Sequence, residues 1–187
     1  MNTALNGRTI AFLVANEGIE QIELTEPWDA VERSGGRPVL IAPAVGKVQA
    51  YEHLDAADTF EATVAVADAD PADYAALVLP GGVANPDQLR TDPAAVSFMR
   101  RFFDDGKPVA AICHAPWTLV EADVVRSRRL TSWPSLKTDI RNAGGNWVDE
   151  EVAVCTQGPN VLVTSRRPDD LESFTAALVE HFSYVPE

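Results

Sequence analysis

The stretch Val109-Ala110-Ala111-Ile112-Cys113-His114-Ala115-Pro116 decides how the whole chain reads. Four small or branched apolar residues in a row mark a buried strand, and the residues after them suit an immediate helix start. A side chain at such a corner sits on a sharp turn above helix N–H groups. That setting lowers a thiol's pKa and offers donors to an oxyanion. The same position also suits an inert thiol, because free cysteines commonly pack as small hydrophobes. The rest of the chain has to choose between the two.

Outward from this corner, strands and helices alternate. Thr9-Ile10-Ala11-Phe12-Leu13-Val14 and Ala76-Leu77-Val78-Leu79 are continuous apolar runs, as strands covered on both faces have. Residues 22–33 have helical spacing, with Pro27 expected in the first turn or at a kink. Gly35-Gly36 closes that helix, and residues 37–41 complete a right-handed parallel βαβ unit. Residues 43–70 read as a hairpin-like excursion with a short strand at 63–66, and residues 71–74 as a short helical turn. Pro80-Gly81-Gly82 breaks the second buried run, and a loop holding Asn85-Pro86-Asp87 leads to an amphipathic helix at 93–103, stopped by Gly106. After the cysteine come a helix at 115–121, a short strand at 130–133 and a helix at 135–143. Strands at 152–155 and 161–164 then flank Gly158-Pro159, and a last helix at 169–182 begins with acidic residues at its positive end. The alternation implies one domain over 1–187, a three-layer α/β/α sandwich around a mostly parallel sheet. Ligand sites in such sheets lie beyond the carboxyl ends of the strands, which brings together the loops after Val14, Leu79 and Ile112.

Composition narrows the function. A net charge of −13 argues against nucleic-acid or anionic-membrane partners. The few basic residues gather in Arg126-Ser127-Arg128-Arg129 and Arg166-Arg167, at element ends where solvated roles are the default. No apolar run reaches membrane-spanning length, and residues 1–8 lack a signal peptide's pattern, so a cytoplasmic protein is expected. Two cysteines make no disulfide framework, and no metal-site spacing or cofactor signature is present. Cys155 reads as a buried strand residue.

The three loops supply a constellation. The first carries Glu17, Glu20 and Glu23 at helical spacing, so two can share a face. A carboxyl beside a cysteine either donates to the thiolate when protonated or acts as a base when ionised, although any one of these glutamates also suits a solvated first turn. The second carries Gly81-Gly82, and the N–H of Gly82 with that of His114 can form a two-donor oxyanion hole. In the third, a Cys113–His114 pair wants an acid to orient the imidazole, and Asp87 is the candidate on the same rim.

These residues carry a resemblance. Ala15-Asn16-Glu17 with Glu20 and Glu23, Leu77-Val78-Leu79-Pro80-Gly81-Gly82, Ala111-Ile112-Cys113-His114-Ala115-Pro116, Leu130-Thr131-Ser132-Trp133-Pro134 and Pro168-Asp169-Asp170-Leu171 resemble the ThiJ/PfpI superfamily. The branch is that of the PfpI-type intracellular protease, related to class I glutamine amidotransferase-like domains. The resemblance implies a flavodoxin-like fold and a readily oxidised cysteine nucleophile at Cys113. It further implies Glu23 as the acid against the sulfur, Glu20 and Trp133 as pocket residues, and Gly82 and His114 as the oxyanion hole. It places Asp87 as a triad acid supplied across a subunit interface, which requires a homo-oligomer, a dimer at least, with a hexamer as the PfpI-like outcome. Two departures stand out: Ala115 replaces the glycine usual after Cys-His, and the stretch around 49–58 differs from that of many relatives. Two functions follow. One is a hydrolase acting on peptides, amides or small aldehydes, of peptidase or glyoxalase/deglycase type. The other is a non-turnover redox sensor or protective, chaperone-like protein in which Cys113 is oxidised.

Overall fold

The computed structural model describes residues 3–184; Met1 and Asn2 of the expected polar lead-in lie outside them. In chain order the elements are β1 (Thr9–Leu13), β2 (Glu17–Glu20), α1 (Gln21–Arg33), β3 (Arg37–Ala42), β4 (Gly46–Glu52), β5 (Asp55–Ala62), β6 (Val64–Ala65) and β7 (Ala76–Leu79). There follow α2 (Ala84–Leu89), α3 (Pro93–Asp104), β8 (Val109–Ile112), α4 (Pro116–Glu121), β9 (Arg129–Leu130), α5 (Lys137–Asn142), β10 (Asn146–Trp147), β11 (Val152–Cys155), β12 (Leu162–Ser165) and α6 (Leu171–Ser183). The central sheet runs β11-β12-β8-β7-β1-β3-β6, parallel except for the antiparallel β11–β12 edge.

Strict alternation along the buried strands builds the three layers. Ala11, Leu13, Leu77, Leu79, Val109 and Ala111 pack on one face against Phe98, Met99 and Phe102 of α3 and Leu119 of α4. Ile10, Phe12, Ala76, Val78, Ala110 and Ile112 pack on the other against Leu24 and Val31 of α1 and Phe174, Leu178 and Phe182 of α6. This is a flavodoxin-like α/β fold.

The excursion at 43–70 is a hairpin, β4 against β5, and β2 joins β4 in parallel to make a second sheet of three strands. That pairing corrects the first-loop reading. Glu17 and Glu20 lie in β2 and only Glu23 lies in the helix, so no two of the three glutamates share a helical face. Pro27 stands inside α1, buried, rather than in its first turn. Asn85-Pro86-Asp87, expected as a loop, is the body of the short helix α2. Its anchor is tertiary: buried Asn85 accepts from the Ala15 N–H at 2.6 Å and donates to the Pro80 and Gly81 carbonyls at 2.9 Å. The strand expected at 130–133 stops at Leu130, because beyond it the chain turns to the site, where the Trp133 N–H donates to the Cys113 carbonyl at 2.8 Å. No helix among the described residues is long and apolar enough to cross a membrane.

Candidate active site at the cysteine elbow

Cys113 follows β8 directly and has φ = 63°, a left-handed conformation that a non-glycine residue adopts only when its surroundings hold it there. Both sides hold it. Its N–H donates to Ser165 at the end of β12 at 3.1 Å, and its carbonyl takes the Trp133 N–H. Ala115, in place of the expected glycine, has φ −53° and ψ −33°, ordinary right-handed helical values, so its methyl imposes no strain on the turn.

The Pro-Gly-Gly loop closes against the elbow. A Cβ at Gly81 would collide with the Glu23 carboxylate, with Cys113 Cβ at 2.6 Å and with the Ile112 carbonyl at 2.7 Å. Gly82 has φ = 84°, and a Cβ there would meet the Gly18 carbonyl and, at 2.7 Å, the Glu20 nitrogen. Only glycines let this backbone pass between Glu23 and the sulfur. The N–H groups of Gly82 and His114, the pair expected as oxyanion donors, both act on the Cys113 sulfur and pull its pKa down.

Glu23 is fully buried. Its Oε2 accepts the Gly81 N–H at 2.9 Å, while Oε1 makes no well-formed hydrogen bond and shares its surroundings with the Cys113 thiol. Burial raises the Glu23 pKa to about 8, with a further push from Glu20 and opposing pulls from Cys113, Gly81 and Gly82. Glu23 is therefore a neutral donor at neutral pH. Contrary to the lowering expected of a thiol above helix N–H groups, burial pushes the Cys113 thiol up, and an ionised Glu23 pushes it further. While Glu23 keeps its proton the second push is absent, and the carboxyl instead stabilises a thiolate.

His114 Nδ1 lies 3.2 Å from Cys113 Sγ, so the adjacent side chains do meet across the bent corner. Burial lowers the imidazole pKa to about 4, leaving it neutral. Its ring stacks on Trp133, with centroids 5.5 Å apart at 21°, and tilts against Trp117. Among the described residues of one chain, no acid is hydrogen-bonded to His114. Asp87 is exposed on the first turn of α2, and among the described residues the His114 ring makes its hydrogen bond to Cys113 alone.

A cavity of about 160 Å³ opens over the sulfur, lined by Glu23, Gly82, Cys113, His114, Trp133 and Glu20, together with His53, Leu54, Val83 and Pro168. It continues into a groove of about 650 Å³ that shares Glu20, His53, Trp133 and Pro168. Sequence reasoning missed His53 and Leu54. They form the β4–β5 hairpin tip, where the His53 N–H donates to Glu20 Oε2 at 3.0 Å, and no local motif announces that a distant hairpin will overhang the site. Among the described residues no group of three or more His, Cys, Asp or Glu is placed to hold a metal.

Fold and site together define a flavodoxin-like α/β protein with a strained cysteine elbow facing a buried glutamate. The chain belongs to the DJ-1/PfpI family, whose model matches residues 8–181. It is 40% identical over 167 residues to protein/nucleic acid deglycase 2 of Escherichia coli, covering 89% of this chain and 93% of that protein. It is 39% identical to general stress protein 18 of Bacillus subtilis, covering 90% and 94%. A ThiJ/PfpI domain protein from Brachyspira murdochii superposes with a TM-score of 0.86 over the full length of both chains at 19% identity.

Proposed function

We propose that this chain is a cysteine-dependent stress-response enzyme that processes small carbonyl electrophiles, with Cys113 as the nucleophile. The observation that carries the reading is the strained Cys113 held between a buried, neutral Glu23 and the N–H groups of Gly82 and His114. The sulfur adds to a carbonyl carbon, forming the C–S bond while the π pair moves to oxygen. The Glu23 proton and the two N–H donors hold that oxygen. With an α-oxoaldehyde, proton transfer between the two carbons turns the adduct into a thioester, which water cleaves to a hydroxy acid, returning the thiol. The cavity at the sulfur suits such a compact substrate better than an extended peptide, and the deglycase relative supports the same choice. Trp133 and Glu20 shape the entrance. His114 binds an added proton weakly, so a role as base calls for an acid near it. Asp87 of a neighbouring subunit is our candidate, which makes a homo-oligomer the working form.

A second reading is favoured by the orphaned Glu23 Oε1. A neutral carboxyl whose Oε1 lies by the sulfur without another hydrogen-bond partner also suits an oxygen on that sulfur, as in a sulfenate or sulfinate formed by peroxide without turnover. Steady-state assays with small α-oxoaldehydes and peptides, run on wild type and Cys113→Ala, separate the two. Turnover lost in Cys113→Ala supports the enzyme. Absence of turnover, with peroxide oxidation at Cys113, leaves the sensor.

A further inference from the structure

The second cysteine is the buried strand residue its sequence context implies, but its sulfur faces a buried cation. Cys155 ends β11, buried to 3% exposure, and its Sγ accepts from Arg128 Nε at 3.2 Å. Arg128, expected at a solvated element end, is itself only 4% exposed. Its remaining donors go to Asn160 Oδ1 at 2.9 Å, the Asn160 carbonyl at 2.8 Å and the Cys155 carbonyl at 3.2 Å, and its guanidinium lies 5.9 Å from the Phe103 ring centroid. None of these partners is a carboxylate.

A buried guanidinium without a counter-ion is costly, and an arginine cannot shed its proton to escape the cost. Among the described residues bonded to it, the Cys155 sulfur alone can carry a negative charge. The backbone tightens the arrangement, since a Cβ at Gly158 would strike Arg128 Nη1 at 2.7 Å. The surrounding charges do not replace the thiolate. Arg100 and Arg126 share the adjoining cavity of about 390 Å³ with Asp104 and Asp123, and Asp123 is paired with Arg126 at 3.2 Å. His181 lines the neighbouring cleft by the same turn.

We propose that Cys155 stands as a thiolate paired with buried Arg128 and forms a second peroxide-reactive site, separate from Cys113. As a thiol, Cys155 donates to the Gln157 carbonyl at 3.4 Å; as a thiolate it accepts from Arg128. The direction of its acidity agrees. Burial pushes the Cys155 pKa up, but the Arg128 hydrogen bond, with N–H groups of Arg129 and Gln157, outweighs it and leaves the thiol below its ordinary value. The sheet register sets the sites apart: Cys155 pairs with Leu162, which pairs with Val109, the first residue of β8, whereas Cys113 follows the last. Four residues of strand separate those levels, about 13 Å, beyond the reach of a disulfide. In the reaction the thiolate attacks one oxygen of a hydroperoxide. The S–O bond forms, the O–O bond breaks, sulfur gives up two electrons, and the other oxygen leaves as hydroxide, or as alkoxide from an organic peroxide. The product is a sulfenic acid beside Arg128. The turn at 156–159, which carries the Gln157 carbonyl against the sulfur, is exposed, and we place the entry of peroxide there.

The test uses full-length Cys113→Ala protein, in which Cys155 is the remaining cysteine. Thiolate ultraviolet absorbance is followed against pH, and hydrogen peroxide oxidation at neutral pH is read by mass spectrometry. We expect a midpoint below the free-cysteine value of about 8.5 and one oxygen added at Cys155. In Cys113→Ala/Arg128→Met we expect a higher midpoint and oxidation at least about tenfold slower, since one pK unit is tenfold in thiolate fraction. If that double variant fails to fold, the titration of Cys113→Ala still decides the charge. A midpoint at or above the free value overturns the proposal. So does a thiolate that peroxide leaves untouched while a control cysteine peptide oxidises.

Discussion

Two thiols lie at opposite ends of the same sheet, and both are buried, at 5% exposure for Cys113 and 3% for Cys155. Burial therefore does not distinguish them. What differs is the group each sulfur faces and the backbone that holds it. Cys113 sits in a strained left-handed conformation against a carboxylic acid and beside an open cavity, so its charge is conditional on the Glu23 proton. Cys155 ends an unstrained edge strand against a cation that cannot be neutralised. The first setting suits a nucleophile that must receive a substrate and stabilise what forms on it. The second suits a fixed charge.

The sharpest way to break this contrast is to remove each sulfur. We expect Cys113→Ala to lower kcat/KM for small aldehydes by about a thousandfold or more, as loss of a covalent nucleophile does, with Cys155→Ala within about twofold of wild type. Equal losses would erase the distinction. Gly81→Ala should come next. Its methyl has nowhere to go between Glu23 and Cys113 Cβ, so we expect loss of activity together with about 1–3 kcal/mol of stability, read by denaturant unfolding.

Glu23→Gln probes the conditional charge. Glu23 keeps its proton in the fold up to about pH 8, against an ordinary value of 4.5. Between those values the folded state binds more protons than the unfolded state, so its contribution to stability is full below 4.5 and lost as pH rises through about 8. Glutamine carries no such dependence. We expect Glu23→Gln to gain stability relative to wild type on raising the pH across that window, by an amount on the order of a few kcal/mol. Wild-type turnover should also fall as pH rises past about 8, where the ionised carboxyl stops donating and begins to repel the thiolate, and Glu23→Gln should lack that fall. Parallel pH profiles of melting and turnover check both. The smallest effect expected is from Asp87→Asn, about a tenfold loss of kcat with unchanged melting, provided the acid reaches His114 across subunits. An oligomer with unaltered kcat would remove Asp87 from the site.

Much of the cysteine end was legible in the sequence because its signals are local. The apolar run into Cys113, the Gly81-Gly82 break and the Glu23 position are each written in a few consecutive residues, and the sheet topology brings them together. The parts that stayed hidden depend on distant partners. The segment Asn85-Pro86-Asp87 looks like a loop until Asn85 is seen bonding to Ala15 and Pro80. Arg128 looks solvated until Asn160 and Cys155, some thirty residues on, wrap its guanidinium. The overhanging tip at His53 and Leu54 depends on where a hairpin docks, and periodicity carries no such information.

The central claim is that the chemistry is covalent and occurs at Cys113. Its most direct test is to quench the wild-type protein during incubation with a small α-oxoaldehyde and map adducts by peptide mass spectrometry. The account predicts substrate mass on the peptide containing Cys113, and none there in Cys113→Ala. Turnover that proceeds at the wild-type rate in Cys113→Ala, or with the adduct on Cys155 alone, would contradict it.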